Sequence, residues 1–593
     1  MNQKIIKYRW WIVAVSVLVT AGISLSLMKL EVDPDLTHYF PDSMTSIRNT
    51  DRIEEVFGNQ DMILMVFETK DVLNEATLNR VQKVEKAIRR LDGVKRTSSI
   101  FGSNHIYGED GVMYVEPAVY RIPRNESQRE ELRKSLQENE LVYKVMVSDD
   151  FRATALIISL ENEITEEVLF TKINQVLQDN PGNERIHFGG LPYLYQVIDK
   201  DIKRDAAILI SIALLMMMVF LYLVFREWRG VWLPFLVVVR SALVGIAMLP
   251  ILGWKFYAIS LLVPVLLIAV ANDYGIHMIA RYQELNARGS GENMKQKAMR
   301  ITGDLWKPIL LTGLTTIAGI SALWAHTMIP ARQMALVASI GILLAIFFSL
   351  VLLPALLSML PKSSYIPAIR PRGASSTKTW LGKFSFFVVR NRKPIPLAAL
   401  IATLLISSGI FFLKVDSNEE NFFPERHEVK QGANIINNKF GGSESISILF
   451  SGDILSPELL LRMENYAGEM EKLDAVDLTM GFSQVIREIS KALNDPGDPL
   501  YDRIPPTRAA VAQYMELYSM SGDPQELEQL VDFNYEHAHL MIRINDASVE
   551  SVNGIMDRLT SITEGDAAVD VIGGYGYIRS ELATKVLVGT SYS

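Results

Sequence analysis

Seven stretches of this 593-residue chain are long and apolar enough to cross a lipid bilayer as helices. A hydrocarbon core about 30 Å thick is crossed by about 20 residues of α-helix. Apolar runs of that length are uncommon inside water-soluble proteins, so the stretches predict a polytopic helical membrane protein. The first stretch lacks a small-residue cleavage pattern, and we interpret it as a retained helix rather than a signal peptide. The predicted spans are residues 10–28, 206–225, 231–252, 256–280, 306–325, 334–360 and 396–413.

The composition agrees with a membrane protein and excludes several other classes. Hydrophobic residues make up 49% of the chain, and the mean hydropathy is +0.16. The net charge of −8 gives no reason to expect a nucleic-acid partner. The chain has no cysteine, which excludes thiol nucleophiles, disulfides and cysteine-ligated metals. The polar segments show no catalytic triad, phosphate-binding loop or zinc pattern, so we expect neither an enzyme nor a cofactor.

Basic residues collect in the loops on one side of the predicted spans. The opposite short loops carry little more than Lys255 and Arg332. Because lysine and arginine favour the cytoplasmic side, we expect a cytoplasmic N-terminus in the inner (cytoplasmic) membrane. The predicted organisation is a first span (1–30), an outer domain (31–205), a five-helix block (206–360), a cytoplasmic linker (361–394), a seventh span (395–413) and a second outer domain (414–593).

Two parts of the chain match each other at a nearly fixed offset, which indicates a tandem duplication. Residues 30–33 match residues 413–416, an offset of 383, and the Gly-Gly pair at 189–190 matches the pair at 573–574, an offset of 384. The first copy continues into five further spans, whereas the second reaches Ser593 where the next span is expected. We therefore expect about five further helices, on the order of 150 to 200 residues, beyond this sequence, and no transport by the isolated chain.

Both outer segments alternate strand and helix patterns. In the first, strands are predicted over 61–69, 94–99, 152–160 and 185–188, with helices over 74–91 and 165–179. In the second, strands are predicted over 446–450, 539–544 and 568–572, with helices over 457–473 and 548–561 and a helical insertion around 482–530. Two β-α-β units in one domain favour ferredoxin-like α+β domains.

Asp273 is the candidate functional residue that the sequence marks most strongly. It lies seven residues before the end of the fourth span, or about 10 Å into the membrane at about 1.5 Å per residue. Ionisable groups at such depth are rare and usually mark ion or proton pathways. We interpret Asp273 and Tyr274 as a proton relay. The alternative is that Asp273 only ties helices together, and His277 is either a further relay or a plain interfacial residue.

Arg240 is the second costly residue, about 14 Å into the third span at about 1.5 Å per residue. The third and fourth spans run antiparallel, so Arg240 is expected at the depth of Asp273. It either pairs with Asp273, faces helices absent from this sequence, or extends to the lipid headgroups. Small and hydroxylated residues in the fifth span predict close helix packing more than direct proton transfer. These residues are Thr312, Gly313, Thr315, Thr316 and Gly319.

The order of spans and outer domains resembles that of the resistance-nodulation-division (RND) superfamily. Residues 272–277, which read Asn-Asp-Tyr-Gly-Ile-His, resemble the fourth-span signature of its MmpL-like and hydrophobe/amphiphile exporter branches. The Phe-Pro pairs at 40–41 and 423–424 and the Gly-Gly-Leu-Pro run at 189–192 fit as well. The five-helix block is also similar to a sterol-sensing domain. The resemblance implies that Asp273 works with Tyr274 and with an acidic residue of a second half that this sequence lacks.

The resemblance implies an exporter of hydrophobic or lipid-like molecules that is driven by the proton-motive force. Its expected partners are protons, membrane lipids and either the missing half or a second copy of the chain. Two alternatives remain: a non-pumping lipid- or sterol-sensing receptor, and a SecD/SecF-like accessory to protein export. The Asp273–Tyr274 pair favours the exporter over the receptor, and the tandem repeat favours it over the export accessory.

Overall fold

A computed structural model describes residues 2–41, 43–58, 62–109, 112–161, 166–287, 292–361, 380–409, 418–522 and 527–592. The chain forms two compact units, each assembled from separate segments. The helical unit comprises Met1–Asp33, Asp201–Val415 and Val588–Ser593. The α+β unit comprises Pro34–Lys200 and Asp416–Leu587, so it contains most of both predicted outer segments.

The helices and strands are numbered in chain order. The helices are α1 (Asn2–Lys7), α2 (Arg9–Ser24), α3 (Thr45–Phe57), α4 (Glu75–Ile88), α5 (Glu126–Glu138), α6 (Glu166–Asp179), α7 (Leu191–Phe225), α8 (Trp228–Ile251), α9 (Leu262–Ala287), α10 (Met294–Ser321), α11 (Ile329–Phe347), α12 (Leu353–Met359), α13 (Trp380–Arg390), α14 (Pro394–Ser407), α15 (Glu428–Lys439), α16 (Pro457–Met470), α17 (Phe482–Leu493), α18 (Arg508–Ser521), α19 (Val549–Thr563) and α20 (Tyr575–Tyr592). The strands are β1 (Met62–Glu68), β2 (Val94–Ser98), β3 (Asn104–Glu109), β4 (Val112–Pro117), β5 (Ala153–Leu160), β6 (Arg185–Gly189), β7 (Glu444–Ser451), β8 (Val476–Gly481), β9 (His537–Ile544) and β10 (Val569–Gly573).

Six helical segments among the described residues are long and apolar enough to cross a membrane. They are Arg9–Lys29, Leu191–Phe225, Trp228–Ile251, Ala258–Ala287, Met294–Ala325 and Ile329–Met359. They coincide with the first six predicted spans, and the chain is a multi-pass helical membrane protein. The predicted seventh span forms α14 as far as Ser407, while its residues 410–413 lie outside the described residues. Helix α13 falls in the segment predicted as a linker, of which residues 362–379 also lie outside the description.

Glycines allow α9 to pack closely against its neighbours in the helical unit. Leu267 of α9 fills the space beside Gly245 of α8 and Gly341 of α11. A Cβ atom added at those glycines would lie 2.9 Å and 2.6 Å from the Leu267 side chain. Gly275 of α9 meets Pro234 of α8, where an added Cβ would lie 2.6 Å from the proline Cβ. Because lipid supplies little hydrophobic drive for helix association, such close contact is what holds membrane helices together.

One end of the helical unit gathers polar and basic groups. Arg229 at the start of α8 donates to the carbonyl oxygen of Pro361 at 2.7 Å, and Gln283 of α9 donates to that of Phe225 at 3.0 Å. Arg281 forms an ion pair with Asp304 of α10 at 2.6 Å. These contacts bring the ends of α7, α8, α9, α10 and α12 to the same side of the unit.

The α+β unit contains two four-stranded antiparallel sheets with matching topology. Their strand orders are β2-β5-β1-β6 and β10-β7-β9-β8. In each sheet the first and third strands of the repeat lie at the centre, and the second and fourth lie at the edges. The predicted strands are present, and β8 is a strand that the sequence pattern did not reveal. The shared order is the structural counterpart of the tandem repeat.

The two repeats interlock within the α+β unit. Helix α3 precedes β1 in the chain but packs against β10, and α15 precedes β7 but packs against β6. The hairpin of β3 and β4, which the sequence analysis also missed, packs against α17 and α18 of the second repeat. Gly108 in the hairpin approaches the carbonyl of Ala492 so closely that an added Cβ would lie 1.8 Å from its oxygen. Each repeat therefore completes the packing of the other.

Strand β1 shows why the first sheet is buried on both faces. Alternate residues of a strand point to opposite faces. Ile63, Met65 and Phe67 join the apolar cluster formed with α4 and α6. Leu64 and Val66 join a second apolar cluster, which includes residues of the second repeat. A nearly continuous apolar run is expected of a strand that is covered in this way.

Candidate functional site

Asp273 lies near the middle of α9 on an exposed face of the helical unit. Its neighbours Tyr274 and Gly275 are buried, whereas Asp273 and His277 are exposed. Within the described residues the Asp273 carboxylate has neither a hydrogen-bond partner nor an ion-pair partner. A charged carboxylate facing lipid costs several kcal/mol. In a membrane this face must therefore carry a neutral Asp273 or be covered by polar groups from outside the described helices.

Tyr274 points into the helical unit. It is 1% exposed, and its hydroxyl has no hydrogen-bond partner among the described residues. The ring ends beside Gly313 of α10, where an added Cβ would lie 3.1 Å from the hydroxyl oxygen and 2.2 Å from Ile346 of α11. Three helices thus converge at Tyr274. Asp273 and Tyr274 are adjacent in sequence, but they occupy different faces of α9.

Asn272 adds a second unsatisfied group to the same turn of α9. Its side-chain Oδ1 is buried, with no hydrogen-bond partner in the described part of the chain. A buried polar atom without a partner costs about 1 to 3 kcal/mol. Such atoms are uncommon in folded proteins and call for an explanation. Here two such atoms, from Asn272 and Tyr274, belong to the residues on either side of Asp273, which is the one carboxyl group of the span.

His277 lies one helical turn beyond Asp273 on the same exposed face. The spacing of four residues places the two side chains above one another along α9. In the described structure His277 forms no hydrogen bond or ion pair. The two residues therefore share one exposed face of α9, which also suits a histidine that only lines the surface.

Arg240 of α8 has a partner that the sequence did not indicate. Its Nη1 donates to the hydroxyl oxygen of Ser16 on α2 at 2.9 Å. Arg240 and Asp273 form no ion pair among the described residues, so the predicted pair is not present in this structure. The reason is positional, because Arg240 is directed to α2 whereas Asp273 lies on an exposed face of α9.

The hydroxyl groups of the fifth span are engaged within their own helix. Thr315 and Thr316 both donate to the carbonyl oxygen of Thr312, at 2.8 Å and 2.9 Å. Gly313 packs tightly, as predicted, whereas an added Cβ at Gly319 would have no neighbour within 4 Å. The structure thus brings Gly313 to Tyr274 and leaves Thr315 exposed.

A hydroxyl-bearing stripe on α2 is a feature that the sequence analysis missed. Ser16, Thr20 and Ser24 follow one another at intervals of four residues, which places them on one side of the helix. Ser16 accepts the bond from Arg240, and the hydroxyls of Thr20 and Ser24 have no partners in the described residues. Helix α2 packs there against a π-helical turn, Phe348–Leu352. The four-residue spacing of these hydroxyl groups in the sequence could have predicted the stripe.

The α+β unit contains a buried ionic cluster. Arg579 of α20 forms ion pairs with Glu419 and Glu444, and all three side chains are less than 5% exposed. Tyr575 donates its hydroxyl proton to Glu419 at 2.8 Å. Burial raises the pKa of Tyr575 well above its ordinary value, which keeps the phenol protonated as a donor. In this cluster one guanidinium faces two carboxylates, and the neutral Tyr575 hydroxyl adds a hydrogen bond to one of them.

Residues of the first repeat also contact this cluster. Tyr195 of the first copy, which matches Arg579 at the offset of 384, donates to Asp35 at 2.9 Å. The hydroxyls of Tyr195 and Tyr575 are 3.2 Å apart and join the two halves. A cavity of about 150 Å³ lies beside this network and includes Glu444 and Arg579 in its lining.

These features define the class of protein. A multi-pass helical unit that is joined to a duplicated α+β unit, with a lone carboxyl group in the fourth span, is the architecture of an RND-type membrane transporter. Within that class the chain belongs to the MMPL family, whose family model matches residues 38–395.

Several relatives carry a transport function in their names. The siderophore exporter MmpL5 of Mycobacterium tuberculosis is 25% identical over 69% of this chain and 40% of its own length. The mycolic acid-containing lipids exporter MmpL11 of Mycolicibacterium smegmatis is 26% identical over 35% of this chain and 23% of its own length. The Bacillus subtilis membrane protein YdgH is 21% identical over 81% of this chain and 51% of its own length. The chain therefore matches about half, or less, of each relative.

Proposed function

We propose that this chain is part of an exporter of hydrophobic or lipid-like molecules, driven by the proton-motive force, that acts across or out of the inner membrane. The observation that carries the proposal is Asp273, a carboxyl group in the middle of a span with no partner among the described residues. Membership of the MMPL family supports transport as the activity. The siderophore and lipid exporters among the relatives support a hydrophobic cargo.

Asp273 is the proton carrier in this proposal. The charged carboxylate is disfavoured against lipid, while the protonated carboxylic acid is tolerated there far better. Protonation of Asp273 therefore makes lipid surroundings less costly for this face of α9, and deprotonation makes polar surroundings more favourable. That preference can drive the helices between two arrangements, and cargo movement in the α+β unit follows from it. His277, on the same face, is placed to pass the proton toward the basic end of the helices.

A partner covers the Asp273 face in this proposal. A second copy of the chain, or further helices of a longer protein, would supply the polar surroundings that the carboxylate lacks. Tyr274 stays inside its own helical unit, so its role is to keep the α9 turn polar and positioned. Arg240 then acts from the α2 side and does not form an ion pair with Asp273 in the arrangement described.

The orientation follows from the basic groups at one end of the helical unit. We infer that this end is cytoplasmic and that the α+β unit lies outside the inner membrane, with each repeat arranged as a ferredoxin-like domain. The β-α-β-β-α-β succession around two antiparallel sheets supports the latter assignment. Single cysteines at the exposed Ser127 and Ser519 should react with impermeant thiol reagents on intact spheroplasts, and one at Lys295 should not. The reverse pattern would invert the orientation.

Replacement of Asp273 by asparagine tests the proposal. Asn is isosteric and cannot carry a proton, so Asp273→Asn in the completed, transport-competent protein should abolish efflux from proteoliposomes under an imposed pH gradient. Insertion and thermal stability should stay close to those of the unchanged protein. Tyr274→Phe should reduce efflux less, because it removes no proton carrier, and Arg240→Ala should impair it through the α2–α8 contact. Efflux at the original rate by Asp273→Asn would refute the proton role of this residue.

A further inference from the structure

A second cavity, of about 130 Å³, lies between the two repeats of the α+β unit. Its walls come from the first repeat and its hairpin on one side, and from α17, α18 and β9 of the second repeat on the other. Much of the lining is apolar. The apolar lining includes Ile106, Leu141, Val145, Met146, Val485 and Leu530.

The charged lining of this cavity is of one sign. Among the described residues that line it, the charged side chains are Arg96 and Arg543, and no carboxylate is present. Serine and glutamine side chains, including Ser98, Ser159 and Gln529, add hydrogen-bonding groups. The 150 Å³ cavity differs, because glutamates as well as arginines line it. Arg543 therefore makes the second cavity electropositive as well as apolar.

Arg543 is the unusual member of this lining. It lies on the central strand β9 and is 7% exposed. Its Nη1 donates to the carbonyl oxygen of Phe440 at 3.0 Å, and no ion pair with it occurs in the described residues. Burial lowers the pKa of Arg543 to about 10, so the guanidinium remains charged at neutral pH. Buried charges in proteins are normally paired with an opposite charge, whereas the hydrogen bond that Arg543 donates goes to a neutral backbone oxygen.

We infer that this cavity binds the anionic end of an amphiphile, with a carboxylate or phosphate against Arg543 and Arg96 and the adjoining carbons against the apolar wall. The planar guanidinium matches both anions through paired hydrogen bonds. A protein cavity of about 150 Å³ is known to hold a molecule the size of benzene, so about 130 Å³ suits a head group with a few carbons.

The two cavities of the α+β unit share part of their lining. Met62, Met541 and Arg543 line both cavities of the α+β unit. Methionine side chains are flexible and adapt to different neighbours, so a wall built partly of them can yield. The identity of the amphiphile as transported cargo rests on the proposed export function. The binding itself does not.

Octanoate is the probe for the experiment, because it joins a carboxylate to a short apolar chain and remains monomeric at millimolar concentration. Binding to the purified full chain in a non-ionic detergent is measured by equilibrium dialysis. We expect saturable binding of octanoate. Octanol and octyltrimethylammonium should bind at least about tenfold more weakly, because charge-assisted hydrogen bonds are lost. Inorganic phosphate should not displace octanoate, since it makes no use of the apolar wall.

Substitutions locate the binding. Arg543→Met should weaken octanoate binding by roughly tenfold to a hundredfold, and Arg96→Gln by about tenfold. Arg508→Gln is the matched control, because Arg508 is exposed in an ion pair with Asp453 and lines neither cavity. If Arg543→Met fails to fold, the affinity of Arg96→Gln, which lies on the edge strand β2, tests the inference instead. An unchanged affinity in the folded variants would overturn the inference.

The ligand series can overturn it as well. Equal binding of octanol would remove the role of charge, and displacement by inorganic phosphate would make this a free-anion site instead of an amphiphile site. Asp273→Asn separates the inference from the proposed function. It should leave octanoate affinity unchanged whether or not it stops transport, and charge-selective octanoate binding would stand even if the proton proposal failed.

Discussion

The helical unit and the α+β unit treat buried polar groups in opposite ways. In the α+β unit, the buried Arg579 forms ion pairs with Glu419 and Glu444, and Tyr575 donates to Glu419, although Oε2 of Glu444 has no hydrogen-bond partner among the described residues. In the helical unit, buried atoms of Asn272 and Tyr274 have no partners among the described residues, and they flank an equally unpartnered Asp273. The buried charges of the α+β cluster are paired with one another, whereas the groups around Asp273 have no such pairing. We therefore expect the first cluster to contribute to stability, and we propose a functional role for the second.

Removal of the central charge of the α+β cluster should have the largest effect on stability. Arg579→Met leaves Glu419 and Glu444 buried without their cation, which should cost about 3 to 5 kcal/mol of unfolding free energy. Arg508→Met is the control, since an exposed ion pair contributes about 1 kcal/mol or less. Thermal unfolding of the full chain measures both. Equal unfolding midpoints for the two variants would mean that the cluster is not structural.

A buried histidine should make the α+β unit sensitive to acid. His539 of β9 is fully buried, stacks on Phe57 with ring centroids 5.3 Å apart, and donates from Nδ1 to the carbonyl oxygen of Gln529 at 3.0 Å. Burial lowers its pKa from 6.5 to about 4. The unfolded chain therefore binds the proton first as the pH falls, and stability that is complete above pH 6.5 is lost down to about pH 4.

The size of this effect follows from the pKa difference of about 2.5 units, or on the order of 3 kcal/mol. Unfolding midpoints between pH 7 and pH 4 should fall less steeply for His539→Gln than for the unchanged chain, because the variant has no histidine to titrate there. Parallel curves for the two proteins would show that His539 is not responsible.

Two glycines in the helical unit should respond differently to the same substitution. Gly275→Ala places a Cβ 2.6 Å from the Cβ of Pro234 and 3.0 Å from its Cα, where the backbone cannot yield easily. Such overpacking should cost about 1 to 3 kcal/mol. Gly319→Ala meets no atom within 4 Å and should be neutral, or stabilising by up to about 1 kcal/mol through helix propensity. Similar shifts in the thermal midpoint for both variants would count against the packing described.

The sequence predicts the helices of the membrane better than their contacts. Long apolar helices are present at the first six predicted spans, because a run of about 20 apolar residues has few other uses. The partner of Arg240 could not be predicted, since Ser16 lies 224 residues away and only the packing of α2 on α8 brings it near. The different faces of Asp273 and Tyr274 were predictable, because adjacent helical residues point about 100° apart.

The sheets show a similar limit. Strands with apolar runs, such as β1 and β5, are evident from sequence. Strand β8 is short, polar at alternate positions and ends in glycine, so its pattern is weak. The β3–β4 hairpin owes its order to α17 and α18 of the other repeat, a contact that no local pattern reports. Arg543 gave no signal, because a lone arginine in a strand pattern is indistinguishable from a surface residue.

Proton movement by Asp273 can be measured as a flux of protons that is coupled to the flux of cargo. Proteoliposomes containing the transport-competent assembly and a trapped pH-sensitive dye receive a cargo gradient with no pH gradient imposed. In the unchanged protein, we expect that cargo moving down its gradient drives protons in the opposite direction. The Asp273→Asn variant should move no protons while it keeps its fold. Cargo-driven proton movement by Asp273→Asn at the original rate would contradict this expectation.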